Sequence, residues 1–262
     1  MEHYRVQLIA AAVLVAICAV AQQSAPRPVA ANPHFAPPAT ETLVYAAEWR
    51  LVHAANARLT WSASRASGWQ AKLAVESVGM VSRLYRVNNE YSSVLNNDLC
   101  VESTLLKANE GSRRRETRVT FDSQRKKASV LEHDLVKNVT ASQEIEIVPC
   151  EHDVIGALYQ LRAMNLEPGQ SAQIPVSDGK KAVLAKVEAQ EREEIKTDLG
   201  KFKTIRHEAF LFNNVLYRRR GRLFIWLTDD DRKLPVQIKV RMPFYIGTVT
   251  LQLQNDGTAK QG

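Results

Sequence analysis

The chain has 262 residues, 45% of them apolar, and a formal net charge of +7. That is enough apolar material to bury a sizeable core, as one large domain or two small lobes. A basic balance can mark a nucleic-acid partner, but the address read at the N-terminus argues against it and for anionic lipid or acidic glycan instead.

Arg5 is the one Lys or Arg of the leader, and residues 8–20 form an uncharged apolar run of 13 residues. A membrane-crossing helix needs about 20 such residues, and no later segment qualifies. Ala19, Val20 and Ala21 form a small-residue cleavage site, so residues 1–21 read as a signal peptide and Gln22 as the mature start. Cys18 raises lipidation, but bulky Ile17 before it fits a lipoprotein signal poorly. Cleavage removes one base, Arg5, and one acid, Glu2, so the net charge is unchanged. Residues 22–40 carry Pro26, Pro28, Pro33, Pro37 and Pro38 and read as an extended tether.

The β-rich domain is expected over residues 41–254, with a frayed tail at 255–262. Residues 42–50 (TLVYAAEWR), 57–64 (ARLTWSAS) and 69–77 (WQAKLAVES) read as successive strands on short connections. Residues 80–86 (MVSRLYR) read as a helical turn or a bulge. Strands continue at 90–95, 101–108, 115–121 and 128–133. Residues 135–149 are polar and read as irregular. Residues 153–165 (DVIGALYQLRAMN) form the one long helix. Asp153 is its N-cap, Val154, Ala157, Leu158, Leu161 and Met164 its apolar face, and Pro168-Gly169 its stop. Strands resume at 172–176, 181–189, 193–197, 203–212 and 214–219.

The last stretch, residues 221–253, has the clearest pattern. Leu223, Ile225 and Leu227 share one face of a strand, and Phe224 and Trp226 the other, so this strand should be covered on both sides. Asp229 to Lys233 supplies a turn. Val236, Ile238 and Val240, then Val249, Leu251 and Leu253, alternate with polar residues as half-buried strands do. About a dozen strands with one main α-helix predict an all-β, mainly antiparallel fold, a sandwich or half-open barrel.

Cys100 and Cys150 remain after cleavage. An exported chain permits one disulfide between them, and two buried free thiols are the alternative. Trp49, Trp61 and Trp226, with Phe224, lie on strands, where they line an apolar ligand cavity or fill an ordinary core. Arg218, Arg219, Arg220 and Arg222 form a basic cluster suited to an anionic group, or else a solvated hairpin end. Asp229, Asp230 and Asp231 lack the ligand spacing of a calcium loop and read as a turn that bonds its own backbone. The histidines have no metal-ligand spacing, and there is no nucleophile elbow and no phosphate-binding glycine loop. Nothing here implies a metal, a cofactor or a catalytic residue.

Three segments are familiar as a set. These are LVYAAEW at 43–49, DVIGALYQLR at 153–162, and G-x-L-x-I-W-L-T-D-D-x-R-x-L-P-V from Gly221, with Gly247 later and GKFKTI at 200–205 between. Together they resemble the bacterial family known as domain of unknown function 3108, over nearly the whole mature chain. The resemblance implies an exported, β-rich envelope protein, free in the periplasm or associated with the outer membrane, and it implies no activity. The expectation is therefore a non-catalytic binding protein for a lipid or other amphipathic ligand in a curved sheet. The alternative is a structural or interaction module that docks an envelope protein.

Overall fold

The computed structural model describes residues 36–64 and 67–257. The expected leader, Cys18, most of the tether and most of the tail lie outside the described residues. The first half of the domain is β1 (Thr40–Trp49), β2 (Val52–Ala63), β3 (Trp69–Ser77), the short α1 (Gly79–Leu84), β4 (Asn88–Leu95), β5 (Val101–Glu110), β6 (Arg113–Asp122), β7 (Lys127–Asp134) and β8 (Val139–Glu146). The second half is α2 (Val154–Ala163), β9 (Ser171–Ser177), β10 (Ala182–Thr197), β11 (Gly200–Ala209), β12 (Arg222–Thr228), β13 (Pro235–Arg241) and β14 (Thr248–Asn255).

All fourteen strands belong to one antiparallel sheet, in the order β8 to β1, then β14 down to β9. The first and last strands pair with each other, so two meanders meet at the chain's ends, with Tyr45 opposite Leu253 and Ala47 opposite Leu251. Two sandwiched layers are not what forms. The sheet curls around α2, and its outer strands β8 and β9 do not pair, which leaves it a half-open barrel. Accumulated right-handed twist curls a sheet of this width.

The gap is bridged by residues 150–153. The Val101 N–H donates to Glu151 O (2.8 Å), His152 N–H to Pro175 O (3.1 Å), and Ser177 N–H to His152 O (2.9 Å). The segment thus lies between the start of β5 and β9. The Cys100–Cys150 disulfide, with Cα atoms 4.9 Å apart, fixes it there, and the thiol alternative falls.

Three expectations need correction. Residues 139–146 form β8 rather than an irregular segment. Nearly all of β8 is exposed on both faces, so it carries no alternation to read. Residues 214–219 are a loop, not a strand, because Asn213 and Asn214 turn the backbone at positive φ (61° and 70°). The two strands expected at 181–189 and 193–197 are one strand, β10, with a bulge between Ala189 and Arg192. The expectation for β12 holds: Phe224 through Leu227 are all buried.

Since every strand runs against its neighbours, connections leaving odd-numbered strands lie at one end and those leaving even-numbered strands at the other. The second end carries Asp98, Asp198 and Asp229 to Asp231.

Candidate ligand-binding cavity

Helix α2 sits inside the curl and meets both halves of the sheet. Asp153 caps it, accepting from Gly156 N–H (2.8 Å) while Tyr91 Oη donates to its other oxygen (2.8 Å). Burial holds the Asp153 carboxyl above the usual range. A Cβ on Gly156 would come within 2.7 Å of Leu95, so only glycine lets the helix lie this close to β4. Ile155 and Tyr159 pack into the cluster of β1 to β4, where Tyr159 stacks on Trp61 with centroids 3.7 Å apart.

Below Tyr159 lies a buried ion pair. Arg162 Nη1 and Nη2 donate to the two oxygens of Glu41 (2.6 and 2.9 Å), and Nη2 also donates to Arg232 O (3.1 Å). Tyr159 Oη donates to Glu41 Oε2 (2.6 Å). Burial alone would raise the Glu41 carboxyl, but Arg162 and Tyr159 outweigh it and hold it below its ordinary value. This network anchors the end of the helix to β1 and to the turn before β13.

The opposite side of α2 faces empty space. Val154, Ala157, Leu158 and Leu161, four of the five residues read as the apolar face, line a cavity of about 250 Å³. The facing wall comes from the inner face of β9 to β13: Ile174 and Val176, Ala185 and Val187, Ala209, Leu223 and Ile225, Ile238 and Val240. Leu211, Phe212 and Tyr217 from the loop after β11 cover one side. Every lining side chain is apolar or aromatic. His207 lies beside this wall, opposite Ile225 and Ala189. Burial pushes it down to about 4, so it is neutral at pH 7 and adds no charge. Val154 is exposed and Phe212 and Tyr217 are only partly buried, so the cavity reaches solvent between the start of α2 and the loop.

The aromatic residues singled out from the sequence lie elsewhere. Trp61 is core, stacked between Tyr159 and Trp69. Phe224 and Trp226 point to the other face of β12. There the guanidinium groups of Arg206, Arg222 and Arg241 surround Phe224, and Lys239 lies 5.2 Å from the Trp226 ring. Trp49 is at the end of β1, donating to Ile246 O (2.7 Å). Of the arginines, Arg222 is paired with both oxygens of Glu208 (2.7 Å each) and so leaves the cluster, while Arg218, Arg219 and Arg220 are exposed on the loop. Asp230 does bond its own turn, accepting from Arg232 and Lys233 N–H. No cluster of three or more metal-ligating side chains occurs among the described residues. The cavity did have a signal in the sequence. Ala157, Ala185 and Ala209 put small side chains at inward positions of three elements that converge, but only the topology brings them together.

A family model described as a protein of unknown function, DUF3108, matches residues 44–254. Among solved structures, a β-barrel-like protein of domain of unknown function DUF1849 from Brucella abortus superposes with a TM-score of 0.54 at 9% identity, over 84% of this chain and 99% of that one. That likeness is one of fold alone. A DUF1089 family protein from Pseudomonas aeruginosa aligns over 79% of this chain and 92% of that one at 11% identity, with a TM-score of 0.25. No curated protein sequence matches the chain at a significant level.

Proposed function

Because the chain belongs to the DUF3108 family, which brings no activity with it, we propose a function from its own cavity: non-catalytic binding of an acyl chain or similar apolar part of an amphipathic ligand. The carrying observation is an all-apolar cavity of about 250 Å³ between α2 and β9 to β13. Covering its apolar walls with a ligand gains about 25 cal/mol for each Å² taken from water. Among its lining side chains only Tyr217 carries a polar atom, which is too few partners to hold an ordered water. The cavity lies just under the roughly 300 Å³ at which sites for drug-sized ligands begin, so it suits a hydrocarbon chain whose polar head stays outside. The site has no nucleophile and no carboxylate pair, which fits binding without chemistry.

Export and a periplasmic address go with this reading. The Cys100–Cys150 bond is the kind an oxidising compartment sustains. The test is lipid extraction and mass spectrometry on protein purified from an envelope fraction without detergent. One lipid class at near-stoichiometric amount is expected from the natural chain, and none from Ala185→Phe, which fills the cavity. A blank from the natural chain, repeated after incubation with envelope lipids, refutes it and turns attention to an envelope-docking module, with a partner pull-down next.

A further inference from the structure

One end of the barrel holds an apolar tip next to unpaired cations. The β1–β2 hairpin, the β13–β14 loop and α1 are neighbours there. Arg50 Nη2 donates to Tyr245 O (2.6 Å) and Phe244 O (3.3 Å), and Val78 N–H at the start of α1 donates to Ala54 O (2.9 Å). Leu51 is 94% exposed and Phe244 97% exposed, and Tyr245, Met80 and Leu84 are mostly exposed as well. The opposite end has little to match this: Leu199 and Val148 are 38% and 44% exposed, beside the aspartate-bearing turns.

The hairpin is an unfavourable place for an apolar side chain. Arg50 and Leu51 both sit at positive φ (50° and 66°), the two-residue turn that Asn-Gly normally fills. A leucine held in left-handed backbone and exposed to water gains nothing from folding, so its use lies outside the chain.

Beside the tip is a notch of about 380 Å³ lined by Arg50, Lys239, Arg241, Thr248, Thr250 and Glu48, with Leu51 at its lip. None of the three cations makes an ion pair with a described carboxylate. Two hydroxyls and three cations against one acid suit a phosphate. Apolar and aromatic tips suit the layer just beneath a phosphate plane.

We propose that this end docks on an anionic phospholipid bilayer, with Leu51, Phe244 and Tyr245 inserted and a headgroup phosphate seated among Arg50, Lys239 and Arg241. The exposed Arg218, Arg219 and Arg220 lie on the loop next along this end of the sheet, and they extend the same field. This inference stands apart from the cavity, since it uses none of the cavity's residues.

The experiment is sedimentation of the full chain with vesicles of phosphatidylcholine alone or mixed with phosphatidylglycerol. Binding is expected only to the phosphatidylglycerol vesicles, and it should weaken as salt rises from about 0.05 to about 0.5 M. Lys239→Gln with Arg241→Gln should weaken it by about 30-fold. Leu51→Asn should weaken it too, while the melting temperature stays level or rises by about 2 °C, because Asn accepts that backbone better. Leu199→Ser at the other end and the cavity-filled Ala185→Phe should bind as the natural chain does. Equal binding to both vesicle types, no binding to either, or unchanged binding by the Leu51 and Lys239–Arg241 variants would each overturn the proposal.

Discussion

Glu151 lets one buried charge be followed through pH. It lies in the segment that bridges the open seam, next to Cys150, and is only 2% exposed. Its Oε2 accepts from Val148 N–H (3.2 Å), and its Oε1 has no partner among the described residues. Burial pushes its carboxyl from an ordinary 4.5 up to about 7. A folded value above the unfolded one means that the fold prefers the protonated acid. The contribution is fully present below about pH 4.5 and is lost as pH rises through 7. The span from 4.5 to about 7 corresponds to about 3 kcal/mol. Glu151→Gln keeps the acceptor for Val148 and places an uncharged amide where the second oxygen was, so it removes only the ionisation. Urea denaturation followed by tryptophan fluorescence from pH 4.5 to 8.5, with the disulfide intact, should show the variant equal to the natural chain at the acid end. At pH 8 it should be more stable by about 3 kcal/mol, or about 8 °C in melting temperature. A difference between the two proteins that does not change with pH, or a variant weaker at pH 8, would refute the reasoning.

Two further outcomes follow from the buried contacts. Arg162→Met should destabilise by roughly 3–5 kcal/mol in chemical denaturation, because it strands the Glu41 carboxylate in the core. In the natural chain the lowered Glu41 carboxyl gives stability that is present above its unfolded value and lost as pH falls. The deficit of the variant should therefore shrink in acid, where Glu41 is neutral, and Glu41→Gln added to it should recover part of the loss at pH 7. Replacing Cys100 and Cys150 with Ser should cost about 4 kcal/mol for a loop spanning 50 residues, measured against the oxidised chain, whose intact mass is lower by about two hydrogens than when reduced.

What could be read in advance was local. The alternation in residues 223–227 gave a strand buried on both faces, and the Asp153 cap marked the start of the helix, which ends at Ala163, ahead of the expected stop at Pro168-Gly169. Those signals arise within a few residues of chain. β8 was missed because a strand exposed on both faces has no periodicity, and the placement of the aromatic residues was not legible because burial of a tryptophan does not say on which side of the sheet it lies. Trp226 and Ile225 are adjacent in sequence, yet one is buried in the core cluster beside Lys239 and the other faces the cavity. Deciding between those faces needs the pairing of β1 with β14, a contact across the whole chain that no local pattern encodes.

The same long-range pairing explains why the cavity stays open. A gap beside a helix normally closes when the helix slides into it, and the alanines at positions 157, 185 and 209 offer little resistance. Here α2 is held from its far side. The Asp153 cap and the Gly156–Leu95 approach fix its start, the Tyr159–Trp61 stack its middle, and the Arg162–Glu41 pair its end, with Glu41 on β1. Moving α2 toward Ala185 would break the ion pair and unstack the ring together. The polar network and the apolar void are therefore two sides of one arrangement: the first makes it costly for the second to collapse. Weakening the network should then shrink the cavity and its ligand load along with stability, although Arg162 and Glu41 do not line it.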